Sequence, residues 1–600
     1  MSLLRRSEQA SWLDFIADSN DELERFITIL STHVPRTNLR RKSDTSLEIP
    51  MGDVEFAISR GWRPVSINID SVLRSSLIAR KNDRERILEN EDPLDESEIF
   101  SSLEGISLHR TPTDFQMKNI RQMARYKLAA TFSVPGSGKT SEAILYWLAK
   151  KRPNERLLVV LPKVASTSWR EELHAWLGWD ESEIHLMARP ADYIYQNLIE
   201  NKEKCVFIVN YQKMLIATEP IARFMAETET DGWSMILDES HNIKNYRGST
   251  SIAARQLGSY VDGMKMILTG TPAPQGPEDL RAQAEFLQGI QMDEESSREL
   301  IQSIFVRTSK DDLELKPATI QIHEREHKPE HAAIYNGLFD EARQALLRLQ
   351  EGDYSIGNQA RAAQPHMMTL RKAATDPSVL DRSAEDVRPW KYDFILEAAY
   401  RARENSTKLI IWSNFRHNLL ALCSLLGEFS PAIVYGAIPS DRFQSRDIGP
   451  TAGTREWQFD RFKNNDSCSV LIANPAACGE SISLHHWCNE AIYLDRSYNA
   501  AHYLQSMDRI HRFGMHPDTG KMTCRDNPVT YHVLNTVGTI DQRIHERLEE
   551  KIQRQRDILE SGDFSQPLEE PGTDIPDDPD VSDSTGGSSH NDILDFLAGL

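Results

Sequence analysis

Ser133-Val134-Pro135-Gly136-Ser137-Gly138-Lys139-Thr140 runs straight into the apolar helical stretch Ser141-Glu142-Ala143-Ile144-Leu145-Tyr146-Trp147. A glycine-rich turn that opens a helix is suited to holding phosphate. Gly136 and Gly138 let backbone N–H groups turn inward, and the helix start adds its partial positive charge. Lys139 is placed to reach the β- and γ-phosphates of ATP, and the Thr140 hydroxyl to hold Mg²⁺. Pro135 and Ser137 complete the loop. One position departs from the full pattern, because Ser133 stands where its first glycine is expected.

Further along, Met235-Ile236-Leu237-Asp238-Glu239-Ser240-His241 is an apolar strand ending in two carboxylates. Phosphoryl transfer needs such a pair: Asp238 to hold the metal and Glu239 to orient the attacking water. Around these two segments lie short apolar runs at 156–162, 205–211, 233–240 and 265–271. A second set follows at 409–415, 432–438, 469–475, 490–496 and 529–535. Near-continuous apolar strands separated by helices predict parallel sheets covered on both faces. The fold class is therefore α/β, with two doubly wound parallel-sheet domains and a cleft.

Several motifs carry a more specific resemblance. Asp238-Glu239-Ser240-His241 is similar to the Asp-Glu-Ala-His box of helicase superfamily two, and the Asn242-Ile243-Lys244-Asn245 that follows resembles its SWI/SNF-type branch. Leu268-Thr269-Gly270-Thr271-Pro272, Leu370-Arg371 with Pro377, and the stretch from Gln505 through Asp508, Arg509 and Arg512 to Gly514 resemble further motifs of that branch, in its order, over roughly residues 108–550. The resemblance implies two RecA-like domains with a central ATP cleft. It implies that Gln116 contacts adenine, that Gly479 lies at the nucleotide, and that Arg509 and Arg512 act as arginine fingers from the second domain. Thr269, Thr271, Gln505 and Asp508 would couple the site to motion. Lys163, Trp169, Tyr211, Ser413, Asn414 and Ser481 would follow a DNA backbone, giving salt-sensitive contacts of low sequence specificity. The segment Ala476–Leu484 lacks glycines the family carries there, and Asp495–Asn499 lacks its tryptophan.

Composition sets the outer limits. The 600 residues have 69 Lys+Arg against 90 Asp+Glu, a net charge of -21 that disfavours a basic nucleic-acid coat protein. Ten of the acids lie beyond Ser561, where there is no Lys or Arg, so the rest of the chain carries -11 and leaves room for a local basic groove. No apolar run reaches the ~18 residues of a membrane helix, and no secretory leader is expected. The six cysteines form no CxxC pair, which fits a reducing compartment. His323-Glu324-Arg325-Glu326-His327 matches a zinc-protease string. That chemistry needs a helix, whereas the preceding residues read as a strand that would part the two histidines by about 13 Å, so no zinc is expected. His485, His486 and Cys488 are too crowded to chelate and are expected to pack beside Trp487.

The expected organisation is an accessory region over 1–108, a first RecA-like lobe over 109–325, and a helical segment over 326–390. A second lobe with a closing helix covers 391–560, followed by an acidic disordered tail over 561–600. The apolar periodicity of 588–600 suggests docking to a protein partner, a role also open to the N-terminal region, whose basic cluster at Arg36, Arg40, Arg41 and Lys42 reads chiefly as a solvated loop. Together these readings point to an ATP-dependent translocase on double-stranded DNA in a prokaryotic, nucleoid-associated cytoplasmic setting, with DNA defence or repair as its purpose. A strand-separating DNA or RNA helicase and a nucleotide-gated scaffold are the alternatives.

Overall fold

The computed structural model describes residues 3–6, 12–31, 39–50, 53–54, 56–57, 68–69, 87, 92–163, 165–228, 232–270, 272, 278–351, 356–439, 451–478, 483–512, 514–515, 522–523 and 528–562. All nine apolar runs are strands, sorted into two parallel sheets. The chain divides into two compact units, one of residues 1–312 with 558–567 and one of 313–557 with the remainder. The acidic tail and its terminal segment lie outside the described residues, apart from Ser561 and Gly562.

In the first unit seven parallel strands run in the order Phe305–Val306, Leu128–Thr131, Lys265–Leu268, Trp233–Asp238, Arg156–Leu161, Val206–Asn210 and Ile184–Leu186. Arg156–Leu161 is buried at every residue, as expected of a strand covered on both faces. The 128–131 strand delivers the chain into the glycine-rich turn, and the 233–238 strand brings Asp238 out two places away in the sheet. Parallel strands end on the same side, so both motifs and the 268–270 turn gather at one edge.

Residues before 108 form a third sheet, in the order Arg40–Ser43, Ser46–Pro50, Trp12–Ile16, Leu3–Arg6 and Asn68–Ile69, with the helix Asn20–Leu30 packed on it. Three of its basic residues are paired within the first unit, while Arg36 lies outside the described residues. Arg40 pairs with Glu227 and lies over the Trp12 ring, Arg41 meets Glu24, and Lys42 sits between Asp14 and Glu48. Fully buried Asp53 fastens this sheet to the first unit by accepting the Tyr260 hydroxyl at 2.5 Å, and Ile252 packs on its core.

The second unit carries six parallel strands in the order Thr319–Arg325, Thr530–Thr536, Glu490–Tyr493, Leu409–Trp412, Val470–Ala473 and Ala432–Val434. Residues 319–325 pair along their whole length with 530–536. The lobe boundary expected at 325 therefore moves back to 312, because that strand completes the second sheet. The zinc-protease string is indeed strand up to Arg325, with His323 Nε2 3.0 Å from His532 Nδ1. The helices Pro329–Glu351 and Ile356–Thr375 supply the expected helical segment. The His485 and His486 rings lie 3.8 Å apart, with Trp487 edge-on to His486.

A buried ion pair ties the unit's helices to its sheet. Lys391, with no exposed surface, donates to Asp541 at 2.7 Å and to the Leu494 carbonyl at 3.1 Å. Asp541 also accepts the Thr536 N–H at 3.0 Å. Removing one partner leaves an uncompensated charge, so Lys391→Met is expected to cost about 3–5 kcal/mol in urea unfolding. Adding Asp541→Leu should recover much of that loss.

Candidate active site

The glycine-rich turn has the backbone its sequence requires. Gly136 and Gly138 lie at φ 85° and 88°, where side-chain-bearing residues are strained. A Cβ on Gly138 would stand 2.4 Å from Gln116 Nε2, so the loop also needs glycine there for space. Gln116 is buried, and its carbonyl oxygen accepts the Thr113 N–H at 3.0 Å as the capping box of the helix Asp114–Met123. The residue expected at adenine thus rests against the phosphate loop. Lys139 and Thr140 open the helix Lys139–Lys150, with Lys139 Nζ donating to the Ser133 carbonyl at 2.8 Å. Ser133 itself is buried, and its hydroxyl accepts the Thr308 N–H at 2.9 Å. A serine in place of the expected glycine therefore pins the loop to the 305–308 segment. Ser137 Oγ is buried and finds no hydrogen-bond partner among the described residues. This orphaned hydroxyl, the positive-φ glycines and the lysine fit a polyphosphate.

The two carboxylates are held differently. Asp238 Oδ2 accepts the Trp169 indole N–H at 2.7 Å and Oδ1 accepts the Glu239 N–H at 3.0 Å. Burial, then the charge of Glu239, raises its pKa to about 6; the Trp169 bond and nearby Lys139 act the other way. Glu239 sits at φ 50°, an unusual conformation for this residue. Its carbonyl accepts the Asn242 N–H at 3.0 Å and Asn242 Nδ2 at 2.8 Å, which holds the turn. Its carboxylate lies 3.3 Å from His241 Nδ1 and 3.4 Å from Thr269 Oγ1, and those two side chains are 3.1 Å apart. A Cβ on Gly270 would meet Pro135 Cδ at 3.7 Å. The phosphate loop, the carboxylate pair and the 268–270 turn form one connected cluster. A divalent ion would find its ligands at Thr140 and Asp238.

Residues 132–297 match the family model of the SNF2-related domain. That match covers the glycine-rich turn, the carboxylates and residues 268–272 of the sequence. The chain is 23% identical to chromatin remodeling factor mit1 of Schizosaccharomyces pombe over 463 residues, covering 71% of this chain and 31% of that protein. It is 23% identical to the CHD3-type chromatin-remodeling factor CHR7 of Arabidopsis thaliana, covering 78% of this chain and 39% of the relative. The chain thus spans about a third of the length of these two. Putative protein p41 of Acyrthosiphon pisum secondary endosymbiont phage 1 is 23% identical, with 75% of this chain and 98% of the relative covered. Among solved structures, the Sulfolobus solfataricus SWI2/SNF2 ATPase core in complex with dsDNA shares 20% identity at a TM-score of 0.31, over 77% of this chain and 96% of that one.

Several residues expected at DNA serve the interior instead. Trp169 is fully buried and spends its indole N–H on Asp238. Tyr211 is buried, with its hydroxyl donating to the Asp238 carbonyl at 2.8 Å. In the second unit Ser413 is fully buried and donates to Asp495, while Asn414 gives Asp495 Oδ1 both its N–H at 2.9 Å and its Nδ2 at 3.0 Å. Tyr211 and the pair Ser413 and Asn414 directly follow strands, and Trp169 lies on the helix Ala165–Leu177. Their polar groups donate inward, Trp169 to the Asp238 carboxylate, Ser413 and Asn414 to Asp495, and Tyr211 to a backbone carbonyl. Lys163 remains exposed. In the second unit, Gln505 and Arg512 are half-buried, while Asp508 and Arg509 are buried. Gly479, Ser481 and Thr271 lie outside the described residues.

Sequence reading missed Glu142, one turn into the helix behind Lys139. It is fully buried, accepting Asn119 Nδ2 at 2.8 Å and Thr131 Oγ1 at 3.4 Å. Burial raises its pKa to about 7, against the pull of Asn119 and Lys139. A raised carboxyl pKa means the folded state holds a proton that the unfolded chain has released. Stability is therefore full below the ordinary value near 4.5 and falls as pH rises towards 7. Glu142→Gln should remove that slope and gain up to about 3 kcal/mol on the parent across the window, read by denaturant unfolding at several pH values.

Proposed function

We propose that this protein is an ATP-dependent translocase on double-stranded DNA, which moves along the duplex and displaces or remodels what is bound there. One observation carries the reading: Glu239, His241 and Thr269 are in mutual contact beside Asp238, and Gly270 next to them lies against Pro135 of the loop that leads to Lys139. Such a cluster links a phosphate-binding loop and a carboxylate pair to the first residue of a turn whose family motif relays nucleotide state. In this reading Lys139, Thr140 and the backbone of 136–140 hold the phosphates. Asp238 and Thr140 take Mg²⁺, which when bound neutralises developing phosphate charge. Glu239 orients the attacking water, and the His241–Thr269 contact carries its state into the 268–270 turn. Arg509 and Arg512 take the arginine-finger role, worth about 10³–10⁵ in rate where it has been measured. Lys163 is the remaining candidate for phosphate contact in the first unit.

Relatives named as chromatin-remodeling factors, and one as a probable ATP-dependent DNA helicase in Arabidopsis thaliana, support this substrate class. A phage relative matched over nearly its whole length suits a prokaryotic setting in DNA defence or repair.

Steady-state ATP hydrolysis without nucleic acid and with blunt duplex DNA, single-stranded DNA or structured RNA tests the reading. Duplex DNA should stimulate most, and more as it lengthens, while Lys139→Ala and Glu239→Gln abolish turnover. Greater stimulation by single strands would favour a strand-separating helicase. No stimulation by any polymer would overturn the autonomous motor.

A further inference from the structure

Gln283 belongs to none of the motifs, yet it touches two of them. It lies on the helix Glu278–Gln288 with no exposed surface. Its Oε1 accepts the hydroxyl of Ser240, the third residue of the Asp-Glu-Ser-His box, at 2.6 Å. Its Nε2 donates to the carbonyl of Pro272, the last residue of Leu268–Pro272, at 2.7 Å, and to the Asp279 carbonyl at 3.0 Å. Two carbonyls on one side and a hydroxyl on the other fix which end of the amide is nitrogen. Only a side chain that accepts at one tip and donates twice at the other can make all three bonds. Glutamate has no donor for the carbonyls, and leucine of similar size offers neither.

The helix holding Gln283 is itself pinned. Glu285 pairs with Arg255 at 2.6 Å, with both side chains buried, and its other oxygen accepts the Met292 N–H at 3.0 Å. Arg255 continues to the Tyr246 carbonyl at 2.7 Å, on the loop leaving the Asp-Glu-Ser-His box. Gln283 is thus a preset bracket on a rigid support. Ser240 follows Glu239, whose backbone is held at positive φ, and such conformations persist only where the surroundings over-determine them.

We propose that Gln283 is a positioning residue for hydrolysis, clamping the Asp-Glu-Ser-His turn to Pro272, just beyond the 268–270 turn in sequence, so that Glu239, His241 and Thr269 keep their mutual geometry. The proposal deepens the ATPase reading and rests on it for its kinetic consequence. It acts in parallel with the direct His241–Thr269 contact. Together they tie the Asp-Glu-Ser-His turn to Thr269 and to Pro272.

The test uses the full chain with Gln283→Leu and with Ser240→Ala, a smaller change that removes only the hydroxyl. Sites are counted by titration with a fluorescent ATP analogue. Turnover per titrated site in Gln283→Leu should fall roughly 10- to 100-fold, as small misplacements of reacting groups do, with KM and analogue affinity within about twofold of the parent. Ser240→Ala should move in the same direction by less. Amide exchange at 239–243 and 268–270 should speed up in both variants, while that at 133–140 stays as in the parent. Turnover per site within about twofold of the parent overturns the proposal. So does equal loss of binding and turnover, which marks a merely structural role. If the parent itself hydrolyses no ATP with any polymer, the motor reading fails separately. Exchange alone then decides the clamp: faster exchange confined to the two turns upholds it, and unchanged exchange overturns it.

Discussion

Two neighbouring carboxylates close an apolar strand, and the protein must hold their charge where water is scarce. An ionised group in such a place is tolerated only when hydrogen bonds and opposite charge surround it. Asp238 has the Trp169 indole, the Glu239 N–H and nearby Lys139. Glu239 has His241 and Thr269. The polar residues that line this edge of the first sheet serve that demand. Tyr211 secures the backbone beneath Asp238, and Gln283 secures the residue after Glu239. The second unit meets the same demand in a similar way: Ser413, Asn414 and Asn418 all donate to Asp495 at the end of a strand.

This accounts for what could be read from the sequence. Strands buried on both faces announce themselves as unbroken apolar runs, so all nine runs are strands and their grouping into two sets holds, although the buried strand Leu128–Thr131 is not among them. Short strands carry too few residues for a pattern, and Ile184–Leu186 and Phe305–Val306 went unnoticed. Thr319–Arg325 was recognisable as extended, but its membership of the second sheet depends on pairing with residues two hundred positions later. Sequence spacing does not encode such a partner.

The site divides along the same line. That Lys139, Asp238 and Glu239 lie at one edge of the first sheet was legible because phosphate chemistry would ask for those residue types in that local order. Tyr211 and Ser413 directly follow strands, as expected, whereas Trp169 lies within the helix Ala165–Leu177. Where their polar groups point depends on which acceptor lies within reach, which spacing does not encode. Glu142 and Gln283 were missed altogether. Each leaves a trace, a polar residue among buried neighbours such as Ala143, Ile144, Leu280 and Ala284. A polar interruption in an apolar stripe is a usable signal once the partner it answers to is known.

The seat of Asp53 has a mechanical meaning. It joins the N-terminal sheet to Tyr260, just past the helix Ser249–Gly258, which leads out of the loop after the carboxylates. The bond is buried, and Arg40 adds a second fastening at Glu227. A domain, tag or bead attached to residues 12–31 or 39–50 would ride as freight on the first unit, its load borne by folded structure and not by a slack tether.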